Sequence, residues 1–156
     1  MKRLQAREAT DNDIRSLSQR LREADLREIE ATGWDDPYLA LSSPLEDSLV
    51  LVGVDEDDVA QLIFGVGPGP VEGLGIVWLM ASTDIKKHWV QLLRETRLWV
   101  QRLGAGYSAL ANMVHADNKL HIRWLKWSGF IFLREVSYNG HKFYEFAKIV
   151  NHEEDT

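Results

Sequence analysis

The sequence predicts a single α/β domain built on a mixed, mostly antiparallel sheet with one central parallel strand pair, and three observations predict it. The first is a strand–helix–strand unit in the second half of the chain: an apolar strand (Trp78–Ser82), a long helix (Asp84–Leu103) and a second strand (Tyr107–Val114). Such crossovers pair their strands in parallel and turn right-handed. The second is a pair of hairpin signatures. Ser48–Val54 and Val59–Gly65 flank Asp55-Glu56-Asp57-Asp58, and Ile131–Val136 and Lys142–Val150 flank Asn139-Gly140. The third is size: 156 residues with 45% hydrophobic content suit one compact core.

Taken in order, residues 3–9 read as a short edge strand. Thr10-Asp11-Asn12-Asp13 offers helix caps ahead of Ile14, Leu17 and Leu21, which share helical spacing. A second helix covers Ala24–Ala31 and stops near Gly33, Trp34–Pro37 reads as a turn, and Ser42–Asp47 as a loop. Gly65–Gly75 is rich in glycine, but two prolines interrupt it and a strand follows. It therefore reads as a connection between strands, not a phosphate loop. In the long helix, Ile85, Trp89, Leu92, Leu93, Trp99, Val100 and Leu103 make one apolar face. Gly104-Ala105-Gly106 ends that helix. Asp117 or Asn118 opens the next, Gly129 closes it, and residues 151–156 form a polar acidic tail.

Composition excludes several classes. A net charge of −6 weighs against general nucleic-acid binding. Without cysteine there are no disulfides, no thiol catalysis and no thiolate metal sites. The first residues hold no apolar signal core, and no apolar run is long enough to span a bilayer, so a soluble cytoplasmic protein is expected.

The site is expected where the crossover opens, at the strand carboxyl ends and the helix N-terminus. Lys86 and Lys87 sit in the first turn, where the helix dipole disfavours cations. They suit an anion bound between them and the free N–H groups, or they are a solvated pair. His115 follows the second strand and either projects into the cleft as a base or plays a structural part. His115, Asp117 and His121 match no standard zinc spacing, so no metal is expected. Trp124 and Trp127 read as core, with ligand stacking the alternative, and six tryptophans allow for an interface.

The segment Asn118 to Phe130 (NKLHIRWLKWSGF) matches in spacing the "N…GF" segment of the GNAT (GCN5-related N-acetyltransferase) family, and the element order is similar to that fold along nearly the whole chain. The form HIRWLKWSGF resembles the small GNAT-like proteins of T7-like podophages, a group that includes internal virion proteins. The resemblance implies a splayed parallel pair that takes the pantetheine of acetyl-CoA, or another acyl-CoA, as a pseudo-strand. Leu79, Met80, Ala81 and Ser82 would form the first splayed strand. Thr83 to His88 would form the phosphate turn, with Lys86 and Lys87 as its charges, and Asn118 would open the helix beside the cofactor. It also implies acetyl transfer to an amine of a protein or small molecule, in host cytoplasm or virion. The alternative is a non-catalytic binding protein that acts through a surface, on a host protein or within the virion. Two positions depart from the family pattern. Its phosphate turn, [R/Q]-x-x-G-x-[G/A], falls here on Asp84, Lys87 and Trp89, without a glycine, and the tyrosine that often acts as general acid falls on Leu125.

Overall fold

The computed structural model describes residues 3–150, so the acidic tail at 151–156 lies outside the described residues. Seven strands form one sheet: β1 (Gln5–Glu8), β2 (Leu49–Val54), β3 (Ala60–Pro68), β4 (Leu74–Ala81), β5 (Ala109–His115), β6 (Ile131–Tyr138) and β7 (His141–Ile149). Their order is β1-β2-β3-β4-β5-β7-β6, and every neighbouring pair is antiparallel except β4–β5. Five α-helices accompany the sheet: α1 (Asp11–Ser18), α2 (Glu23–Ala31), α3 (Pro37–Ser42), α4 (Trp89–Leu103) and α5 (Lys119–Trp127). The single-domain α/β expectation, with one parallel pair at its centre, holds.

Side chains along β4 alternate between the two faces of the sheet, as a pleated strand requires. Val77, Leu79 and Ala81 pack with Leu92, Val100, Leu103, Trp124 and Leu125 of α4 and α5. Trp78 and Met80 pack on the opposite core, with Ile14, Leu17, Ile29 and Leu41 of α1 to α3. Each fully buried aliphatic contributes about 1.5–3 kcal/mol. Two cores therefore clamp the strands between them, and what happens at the strand ends is left to polar groups.

Three local readings change. The span Pro37–Ser42 is a helix: Asp36 accepts from the Tyr38 N–H as N-cap and Pro37 occupies the first turn. The hairpin strand β3 runs on through Gly67 to Pro68, which shortens the glycine-rich connection to residues 69–73. The long helix begins later than its pattern suggests. Ile85–His88 is a 3₁₀ turn, and regular α-helix starts at Trp89. Ile85 is buried in the core while the Ile85 N–H donates to Ser82 O and the Lys87 N–H to Asp84 O. Short-range bonds of this kind satisfy helix-end amides locally.

Candidate functional site

Strands β4 and β5 are paired only from Leu74↔Ala109 to Ile76↔Ala111. Beyond that register they part, and Asn112 spans the opening gap by donating its side-chain amide to Val77 O at 2.8 Å. The even-numbered residues near the end of β4 turn their backbone to β3, as Ser82 N–H to Gln61 O shows. The odd-numbered ones turn theirs toward the gap. Leu79 thus presents its N–H and C=O to the gap, between the position held by Asn112 and the position held by α2.

Helix α2 lies across the mouth of the gap. Asp25 and Glu28, three residues apart, fall on one face of it. Asp25 accepts from the Ala81 N–H at 2.9 Å, while the Arg22 N–H donates to Ala81 O. Glu28 accepts from the His115 N–H at 2.8 Å, at the end of β5. One carboxyl group therefore holds each diverging strand. Asn118 sits between the two. Its amide donates to Asp25 at 2.8 Å and its carbonyl accepts from the Arg22 guanidinium at 3.1 Å. Asn118 also begins α5, without capping it through its side chain.

Burial sets the electrostatics here. The Asp25 side chain is fully buried and Glu28 nearly so. Desolvation pushes the Glu28 carboxyl up to about 8, with the neighbouring Asp25 charge adding to the rise against the His115 and Asn118 hydrogen bonds. Asp25 is raised as well by burial, opposed mainly by Arg22 and by the Ala81 N–H. A buried carboxyl with so raised a pKa, held where two strands part, is a candidate for proton transfer.

On the α4/α5 face of the gap lies a small cavity lined by Leu79, Ala81, Trp89, Leu120, His121 and Trp124. Two of these residues carry polar atoms, His121 Nδ1 and Trp124 Nε1, that are buried without a hydrogen-bond partner. Unsatisfied groups of this kind cost about 1–3 kcal/mol each and are rare in native interiors. Burial drives the His121 pKa down to about 3, helped by the Arg22 charge, so its ring is neutral.

The other sequence-derived residues fall as follows. Met80 bonds toward β3 and places its side chain on the α1–α3 core. Ser82 donates its hydroxyl to Gln61 at 2.6 Å, and the Thr83 N–H donates to Arg20 O. Lys86 and Lys87 are exposed beside the 3₁₀ turn, with Lys87 3.6 Å from Asp84. The His115 ring turns to β7: Nδ1 accepts from the Asp117 N–H, and Nε2 lies 3.2 Å from His141 Nδ1. His115 thus reaches the gap through its backbone, not its imidazole. Trp124 is core, whereas Trp127 is half exposed and donates to Leu93 O. Among the described residues no three His, Asp or Glu side chains are placed to hold a metal ion. Nor, among the described residues, is any helix long and apolar enough to cross a membrane. Sequence reasoning missed Arg22, Asp25 and Glu28. Their signal was two acids beside Ile29 on the buried face of a short amphipathic helix.

No protein-family model matches the chain, and no curated protein does. Solved structures do. A GNAT-superfamily phosphinothricin acetyltransferase from Sinorhizobium meliloti, in complex with acetyl-CoA, is 16% identical over 99% of this chain and 92% of that one, with a TM-score of 0.71. An aminoglycoside acetyltransferase in complex with coenzyme A is 14% identical over 98% of each chain, with a TM-score of 0.71. A GCN5-related N-acetyltransferase from Kribbella flavida is 20% identical over 94% of this chain and 98% of that one, with a TM-score of 0.67. With its single splayed parallel pair and its crossover helix, the chain has the GNAT fold.

Proposed function

We propose that this chain binds acetyl-CoA, or a related acyl-CoA, in the gap between β4 and β5, and transfers the acyl group to an amine with Glu28 as general base. The observation that carries the reading is the gap itself: β4 and β5 pair only as far as Ile76↔Ala111, and Leu79 beyond that register has its backbone turned to the gap. His121 and Trp124, whose Nδ1 and Nε1 are buried without partners, lie beside Leu79. A pantetheine arm brings two amides, and these are the kind of group that would satisfy a neutral imidazole, an indole N–H and the Leu79 backbone together. Trp89 and Leu120 narrow the cavity, so they would have to swing outward on binding. Bound there, an acyl-CoA supplies an acyl group activated as a thioester.

The chain's own residues supply the rest. Glu28 takes a proton from the attacking amine, and its raised pKa makes that transfer favourable near pH 8. Asp25 and Asn118 position Glu28 by fixing α2 against both strand ends. Lys86 and Lys87 offer point charges to the phosphates in place of glycine-turn amides. Leu125 is buried and carries no proton, so the departing thiolate takes its proton from solvent. Calorimetric titration with acetyl-CoA tests the binding. Turnover with a panel of amines, lost in Glu28→Gln, tests the chemistry.

A second reading has its own support. In the 3₁₀ turn the Asp84, Ile85 and Lys87 amides are already bonded within the turn, and Ala81 is closed on both sides by α2. These features favour a non-catalytic protein that retains the fold and works through a surface. The resemblance of the Asn118–Phe130 segment supports a phage-encoded protein, acting in the host cytoplasm on a host protein or within the virion. Absence of acetyl-CoA binding by the folded protein would select this reading.

A further inference from the structure

At the end of the sheet away from the gap, helix α5 stops short of its neighbour. The Thr96 and Ser128 hydroxyls, 3.1 Å apart, mark where it ends beside α4, and Gly129 follows in the left-handed region at φ +94°. Helix α4 runs on past that point from Arg97 to Leu103, about 10 Å of helix. The space beside this stretch is a cleft of about 550 Å³, a size usual for ligand sites. Val100 and Leu110, both buried, form its base, and Ile149 and Val150 at the end of β7 close it. At Leu110 the strands β4 and β5 are still paired, through Gly75, so the cleft lies outside the gap.

The charges around this cleft have one sign. Arg97 and Gln101, four residues apart, share a face of α4, and Lys148 of β7 lines the cleft with them. Lys148 lies over the C-terminal end of α5, where a Cβ on Gly129 would stand 3.0 Å from its Nζ. A helix C-terminus favours a cation, which keeps Lys148 in place. No acid lines the cleft, and among the described residues Arg97 and Lys148 have neither a hydrogen bond nor an ion pair. We infer that this cleft binds a medium-chain aliphatic carboxylate, its chain on Val100, Leu110 and Val150 and its head between Arg97 and Lys148. Charge argues for the head: the guanidinium fork meets both carboxylate oxygens, and the ammonium adds a point charge. Composition argues for the chain. No aromatic side chain lines the cleft, so nothing there rewards a ring by stacking, whereas each methylene buried on its aliphatic base adds to affinity. The inference is independent of the acetyl-transfer reading.

The probe is octanoate, titrated into the full chain without acetyl-CoA and followed by backbone-amide NMR. Saturable shifts centred on Val100, Leu110, Gly129 and Lys148 support the site when acetate, which lacks the chain, and octyltrimethylammonium, which reverses the charge, do not produce them. Arg97→Gln and Lys148→Gln, at side chains outside the core, should keep the folded spectrum and each weaken binding about tenfold, the scale of one hydrogen bond to a charged group. Lys142→Gln, elsewhere on β7, should leave binding unchanged. No saturable shift, equal shifts with acetate or octyltrimethylammonium, or binding untouched by both cleft variants overturns the inference. So do shifts centred on Leu79 and His121, which would put the chain in the β4–β5 gap. Binding that appears only when Glu153 and Glu154 are both replaced by Gln would assign the two cations to the chain's own acids, and overturns it as well.

Discussion

The two walls of the β4–β5 gap are built on opposite principles. On the α2 wall, Arg22, Asp25, Glu28 and Asn118 form a network in which each strand end is tied to a carboxyl group. On the α4 wall, the Asp84, Ile85, Lys87 and Trp89 amides bond within the turn from Ser82 to Trp89, and its two lysines stand in solvent. The first arrangement is costly unless complete, because an unpaired buried charge is expensive. The second costs little and constrains little. The difference teaches where to look for chemistry in a chain whose turn before α4 holds no glycine. The buried acids lie on the tightly held wall, and the loose one offers only exposed lysines.

The largest effect expected on the tight wall concerns Glu28. Glu28→Gln should lower the acetylation rate by about 10²–10⁴-fold, the usual contribution of a general base, while acetyl-CoA binding measured by calorimetry stays nearly unchanged. The wild-type rate should rise with pH through about 8, as the carboxyl ionises, and the variant should lose that limb. Stability should move the other way. The folded pKa of about 8 lies above the unfolded value of 4.5, so between those limits the native state holds the extra proton. Stability from this group is complete below the unfolded value and is lost as pH rises toward 8, by about 5 kcal/mol at most, taking about 1.4 kcal/mol per unit. Urea denaturation from pH 5 to 9 should show a decline that Glu28→Gln flattens. A pH-independent rate in the wild type would remove Glu28 from the chemistry.

Asp25 comes next. Asp25→Ala strands the Ala81 N–H, the Asn118 amide and the Arg22 charge at once, and should cost about 3–5 kcal/mol in urea denaturation. The milder Asp25→Asn keeps the volume and one acceptor, and should fall between the two. If Asp25→Ala costs under about 1 kcal/mol, within the range of ordinary surface substitutions, the contrast between the walls collapses.

The same contrast explains what was legible in the sequence. The strand–helix–strand unit and both hairpins were legible because their apolar patterns have fixed periods, and burial on two faces enforces them; the splay of the parallel pair is implied only by the family resemblance. Helix α3 is missed between the turn expected at Trp34–Pro37 and the loop expected at Ser42–Asp47, although Asp36-Pro37 carries an N-cap and a first-turn proline; six residues are too few to show periodicity. The start of α4 was misplaced because Ile85 and Trp89 suit one helical face, and nothing in the pattern distinguishes a tight turn from a regular one. Asp25 and Glu28 escaped notice for a different reason. Their roles depend on Ala81 and His115, 56 and 87 residues away, and no local pattern announces a contact of that range. Asn118 was found through its motif, but its partners could not be.

The smallest effect belongs to the loose wall. Lys86 and Lys87 are exposed, and Lys87 already has a partial partner in Asp84 at 3.6 Å. Point charges in solvent contribute little individually, but an anion placed near both and near the turn would gain from each. Replacing both with Ala should weaken acetyl-CoA binding by about 1.5 kcal/mol, the low end for hydrogen bonds to charged groups, because neither side chain is fixed by packing. The loss should shrink from low salt to about 0.5 M salt, where the screening length falls well below 10 Å. Stability should not change, since the turn bonds through its backbone and Ile85, not through the lysines. A loss of several kcal/mol would make the α4 wall an ordered phosphate cradle after all. No loss at any salt would mean that the phosphates lie elsewhere, leaving His121, Trp124 and the Leu79 edge to hold the pantetheine arm without them.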